Sequence, residues 1–338
     1  GWADKERGIR MEPNMLMRFA SVSKLITAVG IMKLQEMKKL KMNEKVFGPK
    51  GILNDTTYNN SIKDQRYYNI TVEQLLRHQA GFNNYAGDPV SSTRYIMMQN
   101  RLTTPPDHKT LLKILLKRHL GYTPGEGKCY SNLGYMILSM IIEKKSRMKY
   151  ENFMQKYVLQ PAGCYDMHIA GTYYKDRRPN ETKYYMHQGS IPVYEYNNSG
   201  RMVEKCYGDT DLPRLSGAGA WCGSAAELSR LIASIDGMPH IKDILSQKSI
   251  QFMTTEQPDH QYSIGWNYTP KSNRPWIRTG SLAGTSAIVL KYPDGQCWIL
   301  ITNTSTWKGH GFSNDTMAFF EKLRKQFMAD MPKKDLFI

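Results

Sequence analysis

The sequence predicts a mixed fold of the α+β class, in which an antiparallel sheet packs against helices. Strand-like segments alternate with turn residues towards the C-terminal end, and two of them are joined by the hairpin signal Pro293–Gly295. Helical spacing and long loops dominate residues 48–210. We therefore expect residues 1–47 and 211–338 to form a sheet subdomain and residues 48–210 a mainly helical one, the two making one integrated unit.

The first elements are a short strand and then a helix that begins near Ser21. The apolar run from Leu25 to Met37 is dense enough to bury this helix on most of its sides. Ser21 and Lys24 are three positions apart, so a helix places them on one face about one turn apart. An amine within reach of a hydroxyl at a helix N-terminus is suited to acyl transfer without a histidine. The alternative is a serine that only caps a core helix.

The middle of the chain carries helix signals rather than strand signals. N-cap residues precede several apolar stretches with helical spacing, and Pro161 and Gly163 end the last of them. Residues 173–207 are polar and rich in tyrosine, which indicates a surface excursion. The predicted helices are Val72–His78, Leu111–Leu120, Asn132–Lys145 and Tyr150–Leu159.

The last third of the chain predicts the strands. Ser224 and Glu227 have the spacing of a capping box, which predicts a helix to about Ile235. A final amphipathic helix is expected over about Asn314–Met328. The predicted strands are Tyr262–Tyr268, Pro275–Thr279, Thr285–Tyr292 and Gln296–Thr302.

Two further segments carry side chains suited to catalysis. Tyr130 and Asn132 lie where a turn-rich loop meets a helix, so a phenol that can relay protons stands beside an amide that can donate and accept. Arg278 and Thr279 precede Gly280 in a strand-like segment, where a glycine lets a substrate approach the backbone. Taken alone, the first segment could be a helix cap with a packed tyrosine, and the second an edge strand that ends in a turn.

These segments resemble, in their order, the serine β-lactamase and penicillin-binding protein superfamily. Its motifs are Ser-x-x-Lys, Tyr-x-Asn and Lys- or His-Thr-Gly, and the flanking residues 71–81 and 217–228 are similar too. The branch in question contains class C β-lactamases, D-alanyl-D-alanine peptidases and related esterases. The resemblance spans nearly the whole chain and implies the β-lactamase-like fold, with the active site in the crevice between the subdomains. It also implies that the N-terminal helix and first strand of that fold are missing from this sequence.

The resemblance implies a role for each motif residue of the first two segments. Ser21 would be the nucleophile that carries the acyl group. Lys24 would be a base or relay, and Tyr130 would shuttle the proton between nucleophile and leaving group. Asn132 would hold the acyl side chain. Whether Lys24 or ionised Tyr130 takes the first proton stays open, because the pair would titrate as a unit.

The third segment departs from the family pattern at one position. The resemblance implies that Arg278, Thr279 and Gly280 bind the substrate carboxylate and backbone, and that the backbone amides of Ser21 and Ser281 form the oxyanion hole. Arginine replaces the usual lysine or histidine at position 278. Its guanidinium stays protonated and suits a carboxylate, so we expect it to anchor an anionic group of the acyl donor. This departure makes efficient β-lactam turnover less expected than esterase or peptidase activity.

We therefore expect a serine hydrolase that acts through an acyl-enzyme on an ester, amide or β-lactam that carries a carboxylate. The alternative is a catalytically idle, penicillin-binding-like sensor of a ligand or peptidoglycan. A Ser-His-Asp hydrolase is not expected, because the sequence has no G-x-S-x-G elbow. We expect a small-molecule or peptidoglycan-like substrate, a monomer, and a periplasmic or cell-envelope location.

Composition excludes several other classes of protein. The 338 residues have a net charge of +16, but the lysines are scattered and no nucleic-acid-binding motif accompanies them, so no nucleic-acid partner is expected. No apolar run approaches the roughly 20 residues of a membrane-spanning helix. The eight histidines and five cysteines lack metal-binding spacing. We expect no cofactor and no metal.

Overall fold

A computed structural model describes residues 1–85, 87–256, 262–271, 273–309 and 311–327 of the chain. The strands are β1 Trp2–Asp4, β2 Ile9–Arg10, β3 Met17–Arg18, β4 His168–Ile169, β5 Val193–Tyr194, β6 Met202–Val203, β7 Trp221–Gly223, β8 Trp276–Leu282, β9 Thr285–Lys291 and β10 Cys297–Thr302. The α-helices are α1 Ser23–Glu36, α2 Thr56–Asn59, α3 Val72–Leu76, α4 Thr93–Gln99, α5 His108–Leu115, α6 Asn132–Ser146, α7 Tyr150–Met154, α8 Leu212–Leu215, α9 Ala225–Ala233, α10 Gln247–Thr254 and α11 Gly311–Phe327. The predicted α+β class is confirmed.

The C-terminal sheet has the antiparallel order β10-β9-β8. The predicted hairpin joins β9 to β10: the Tyr292 amide donates to the Gln296 carbonyl at 2.8 Å, and Gly295 adopts a φ of 94° that favours glycine. All residues of β9 are buried, including Thr285, Ser286 and Lys291 at its ends, so both faces of this strand are covered. Its neighbour β8 is thereby fixed beside the turn that carries Ser21.

A second, short sheet has the order β3-β7-β4. Both pairings are antiparallel, and they place Arg18 of β3 and His168 of β4 on the two sides of Cys222 of β7. The three residues therefore form one row across the sheet. The chain passes from β3 through two residues to Ser21, so this sheet fixes the approach to the predicted nucleophile.

Helices α1 and α6 form the centre of the core. Most residues of α1 are buried, from Ser23 to Met32, as the apolar run predicted. The Ser131 hydroxyl caps α6 by accepting from the Gly134 amide at 3.1 Å. A buried hydrogen-bond group connects α1 to its neighbours, because the Tyr150 hydroxyl accepts from the Trp221 indole at 2.9 Å and lies 2.7 Å from Thr27 Oγ1.

The structure corrects one predicted strand. Tyr262–Tyr268 contains no strand and pairs with β8 through an isolated bridge between Tyr268 and Ile277. A turn forms instead, because Gly265 adopts a φ of 79° against α1 and the Ser263 hydroxyl lies 2.7 Å from Thr269 Oγ1. Side chains that bond each other across a turn compete with ladder pairing.

Several helix ends also differ from the prediction. Helix α3 stops at Leu76, since His78 has a positive φ of 59°. Helix α5 stops at Leu115, and α7 changes to a π-turn at residues 155–159. The capping box at α9 is only half formed, because the Glu227 carboxylate accepts from the amides of Tyr165 and Asp166 instead of closing on the cap. Helix α11 extends to Phe327, and Met328 lies outside the described residues.

Within the described part of the chain, none of the helices has both the length and the apolar character needed to cross a membrane. All five cysteines are free thiols in the structure.

Candidate active site

Ser21 lies in a 3₁₀ turn, Ala20–Val22, immediately before α1. The turn is tight, because Ala20 adopts a φ of 49°, which is uncommon for a residue with a side chain. It is held at its start by the Phe19 amide, which donates to the Trp221 carbonyl of β7 at 2.8 Å. Strain of this kind concentrates at functional sites and persists only where the surroundings enforce it.

The Lys24 side chain is fully buried beside Ser21. Its Nζ lies 3.3 Å from Ser21 Oγ and donates to Asn132 Oδ1 at 2.5 Å and to the Ala218 carbonyl at 2.6 Å. Burial lowers the pKa of Lys24 below its usual value, and Arg278 adds to that effect. Lys24 therefore contacts both Ser21 of the first predicted motif and Asn132 of the second.

Tyr130 makes the shortest contact with the serine oxygen. Its hydroxyl donates to Ser21 Oγ at 2.6 Å, and Lys24 Nζ lies 4.6 Å from the centre of its ring. Burial acts to raise the pKa of the phenol, but the positive charges of Lys24 and Arg278 outweigh it, so the pKa of Tyr130 is lowered. A phenol of this kind can exchange a proton with the serine at lower energetic cost than an ordinary tyrosine.

Arg278 lies under the serine and is 1% exposed. Its Nε donates to the Ser21 carbonyl at 2.8 Å, its Nη2 donates to the same oxygen, and Nη2 lies 3.4 Å from the Tyr130 hydroxyl. The guanidinium is thus bound to the main chain of the predicted nucleophile. From the sequence, we expected Arg278 to anchor a substrate carboxylate. Its bond to the Ser21 carbonyl is a contact that this expectation did not include.

The strand β8 runs close to the serine turn at Gly280. A methyl group at Gly280 would lie 2.5 Å from the Phe19 carbonyl oxygen and 2.9 Å from the Ser21 nitrogen, so only glycine fits. Ser281 is the next residue of the strand and has an exposed side chain. Thr279 is held by Asn267, whose Oδ1 accepts from the Thr279 amide at 2.9 Å.

Three residues contact the site although the sequence analysis did not assign them to it. The Asp88 carboxylate accepts from the Asn132 side-chain amide, and Asn267 supports β8. His78 accepts from the Ser131 amide at 3.0 Å and lies against the Tyr130 ring. Burial lowers the pKa of His78 well below its usual value, so its imidazole is neutral. No sequence spacing signals these contacts, because each is made between distant segments.

Comparison with known proteins identifies one family. The sequence model of the Beta-lactamase family matches residues 1–318. Penicillin-binding protein 4* of Bacillus subtilis (strain 168) is 24% identical over 309 residues, which are 87% of this chain and 62% of that protein. The chain therefore spans less than two thirds of the length of this relative.

Solved structures share the fold. The D-amino acid amidase from Ochrobactrum anthropi SV3, in complex with L-phenylalanine amide, has a TM-score of 0.72 at 19% identity, covering 96% of this chain and 88% of that one. The penicillin binding protein from Bacillus halodurans has a TM-score of 0.71 at 17% identity, covering 96% and 91%. The β-lactamase-like fold predicted from the motifs is confirmed.

Proposed function

The chain belongs to the β-lactamase family, and on that premise we propose that it is a serine hydrolase that works through an acyl-enzyme on Ser21. The observation that carries the proposal is the 2.6 Å contact between the Tyr130 hydroxyl and Ser21 Oγ, with Lys24 and Arg278 both close to the phenol. A nucleophile within hydrogen-bond reach of a base, itself oriented by further groups, is the arrangement that acyl transfer requires.

Acylation begins when the Tyr130–Lys24 pair takes the proton from Ser21 Oγ. The oxygen attacks the substrate carbonyl carbon, and the electron pair of the C=O bond moves to the carbonyl oxygen. Collapse of this intermediate breaks the bond to the leaving group, which takes the proton that the pair holds. Water then loses a proton to the same pair and attacks the acyl carbonyl carbon. Collapse of this second intermediate breaks the bond to Ser21 Oγ, which takes the proton back from the pair, and the carboxylic acid leaves.

The backbone amides of Ser21 and Ser281 stabilise the oxyanion in this proposal. Gly280 supports the assignment, because its lack of a side chain lets β8 approach the Ser21 nitrogen. Each such donor is worth about 3–4 kcal/mol in the transition state. Thr279, fixed by Asn267, is assigned to the backbone of the substrate.

Labelling with a fluorescent fluorophosphonate or penicillin tests the nucleophile. We expect the wild type to form an adduct that peptide mapping places on Ser21, and Ser21→Ala to form none. Ser229→Ala, on the remote helix α9, is the matched control and should react like the wild type. An adduct of equal yield in Ser21→Ala, with unchanged thermal unfolding, would disprove the assignment.

Turnover separates the hydrolase from the idle sensor. We expect steady hydrolysis within a panel of p-nitrophenyl esters, D-Ala-D-Ala peptides, amino-acid amides and nitrocefin, lost in Ser21→Ala. A protein that is acylated at Ser21 but releases no product from any of them is the sensor instead. Paired esters with and without a carboxylate test Arg278: a lower KM for the anionic ester, lost in Arg278→Met, supports its role as a carboxylate anchor.

A second candidate substrate is an amide that carries a free ammonium group. Asp88 supports it. Its half-buried carboxylate binds the side chain of Asn132, and we assign Asn132 to hold the acyl side chain of the substrate, so a negative charge lies next to that group. The D-amino acid amidase that shares this fold was solved in complex with L-phenylalanine amide, a compound of this kind. We expect Asp88→Asn to raise KM for phenylalanine amide but not for its N-acetyl derivative. Equal effects on both compounds would exclude recognition of the ammonium group.

We assign the protein to the cell envelope, with a peptidoglycan-like compound as one substrate, and we expect a monomer. Cell fractionation and size-exclusion chromatography with light scattering test these two assignments. A cytoplasmic fraction, or a mass of two chains, would contradict them.

A further inference from the structure

A second group of reactive side chains lies away from the serine cleft, in the short sheet. His168 of β4 is directly opposite Cys222 of β7. Glu181 reaches the same place from the loop bridged to Leu16, just before β3. The nearest ligand atoms of the three side chains all lie within 4.8 Å of one another, with His168 Nε2 3.8 Å from Glu181 Oε2. Strand pairing therefore gathers a nitrogen, an oxygen and a sulfur donor.

The group is buried, and one of its polar atoms has no partner. His168 and Glu181 are 5% exposed and Cys222 is 0% exposed. His168 Nε2 forms no hydrogen bond, although it faces the other two side chains. Buried polar atoms are nearly always paired, so a nitrogen without a partner that faces a carboxylate calls for a cation between them, which is either a proton on Nε2 or a bound metal ion.

The orientation of His168 is the one that metal-binding histidines have. Its Nδ1 lies 3.0 Å from the Asp166 carbonyl oxygen, which can only accept, so Nδ1 carries the hydrogen. In the neutral ring, Nε2 then keeps a lone pair that is directed into the group. Metal ligands of this type donate their other N–H to a carbonyl or carboxylate, which fixes the ring.

The donor set and charge fit zinc. Imidazole nitrogen, thiolate sulfur and carboxylate oxygen are the usual ligands of Zn²⁺. One thiolate and one carboxylate neutralise a divalent ion, which reduces the cost of burying it. The Tyr184 hydroxyl donates to Glu181 Oε1 at 2.8 Å, while Oε2 accepts from the Arg178 amide at 3.3 Å and keeps a second lone pair for the metal. Arg18 donates its hydrogen bonds to the Cys206 carbonyl at 2.8 Å and the Gly171 carbonyl at 3.0 Å, and not to the three ligands.

We propose that His168, Glu181 and Cys222 form a zinc site with three protein ligands that joins β4, β7 and the segment before β3. The Cys222 thiol loses its proton to solvent when the Zn–S bond forms, and no electron is transferred. The site lies beside Arg18, three residues before Ser21, so the ion would stiffen the strand that leads to the nucleophile. It takes no part in the hydrolysis, and the proposed function does not depend on it.

Zinc and cobalt binding by the full chain test the proposal. After chelator treatment and dialysis, we expect the folded wild type to bind one Zn²⁺ per chain and to gain in thermal unfolding temperature. Co²⁺ should produce the charge-transfer absorption of a cobalt–thiolate bond. His168→Gln and Cys222→Ser should bind zinc more than about 10-fold more weakly, since loss of a group that only orients a ligand already costs 10–100-fold. Cys164→Ser, which removes another buried free thiol, should behave like the wild type.

Three results would overturn the site. The first is a folded wild type that binds no zinc and keeps its unfolding temperature when zinc is added. The second is zinc binding without the cobalt–thiolate absorption, which places the ion elsewhere. The third is undiminished binding in His168→Gln. The wild-type measurements decide the question even if Cys222→Ser does not fold, and none of them depends on hydrolytic activity.

Discussion

The imidazole of His78 lies on the phenol ring of Tyr130, with the ring centroids 4.7 Å apart and the planes inclined by 31°. The same imidazole accepts the Ser131 amide at 3.0 Å, at the start of α6. One neutral side chain thus positions both the phenol that contacts Ser21 and the helix that carries Asn132. The sequence analysis placed His78 only at the end of a predicted helix, and the structure shows what this side chain supports.

The neutral state of His78 predicts a pH dependence of stability. Its pKa is far lower in the folded protein than the usual 6.5, so below pH 6.5 the unfolded chain binds more protons than the folded one. The stability it contributes is present above pH 6.5 and is lost as the pH falls towards the folded pKa, by up to about 1.4 kcal/mol per pH unit. Urea unfolding from pH 7 to 5 measures this loss.

His78→Asn is the comparison for that experiment. Asparagine tolerates the positive φ of position 78 but does not titrate in this range. The unfolding free energies of wild type and variant should therefore converge as the pH falls. Parallel curves would show that His78 is not held neutral.

Arg278 predicts a shift in the pH profile of catalysis. Its charge lowers the pKa of both Lys24 and Tyr130, so Arg278→Met should raise both pKa values. The rising limb of kcat/KM against pH then moves to higher pH, with about tenfold less activity at neutral pH for each unit of displacement. Arg278→Lys keeps the charge and should lie closer to the wild type. An unmoved limb in Arg278→Met would show that Arg278 acts only on the position of the main chain.

Gly280 predicts a steric effect on the oxyanion site. An alanine methyl at this position would lie 2.5 Å from the Phe19 carbonyl oxygen and 2.9 Å from the Ser21 nitrogen. Both groups must therefore move away from β8. We expect Gly280→Ala to lower kcat by about 10²–10³-fold, the cost of losing one oxyanion donor.

Gly134→Ala is the control for this substitution. Gly134 is also buried, in α6. A methyl group there would lie 3.5 Å from the Leu75 carbonyl oxygen, which is an ordinary contact distance. Gly134→Ala should keep the wild-type kcat and gain about 0.5–1 kcal/mol of stability. Equal losses of activity in the two variants would disprove the steric argument.

The contacts of Tyr150 predict that Tyr150→Phe lowers the free energy of unfolding but leaves catalysis unchanged. Tyr150→Phe removes the acceptor of the buried Trp221 indole N–H and a partner of Thr27. An unsatisfied buried donor costs about 1–3 kcal/mol, which thermal or urea unfolding measures. KM and kcat at 20 °C or below should stay close to wild type, because Tyr150 does not contact Ser21. An unchanged unfolding free energy would mean that water replaces the hydroxyl.

The sequence predicted most of what local chemistry determines. The buried α1, the cap at Ser131 and the hairpin at Gly295 follow from nearby residues, and the motifs brought Ser21, Lys24, Tyr130 and Asn132 together as expected. The roles of these residues and the division into two subdomains stay predictions.

What the sequence missed depends on contacts between distant segments. The segment around Gly265 has strand-like composition, but its packing against α1 turns it away from the sheet. Asp88 reaches Asn132 across 44 positions, and His168 meets Cys222 only through strand register. Periodicity and spacing describe neighbours along the chain, so neither could reveal these pairs.

The bond from Arg278 to the Ser21 carbonyl spans 257 positions of the chain. A ribosome therefore synthesises the turn that contains Ser21 long before it synthesises Arg278, which binds that turn. The Ser21 turn therefore gains this bond only after β8 has been made and has docked, and a chain cut short before β8 carries every residue of the first two motifs without the guanidinium that binds the Ser21 carbonyl.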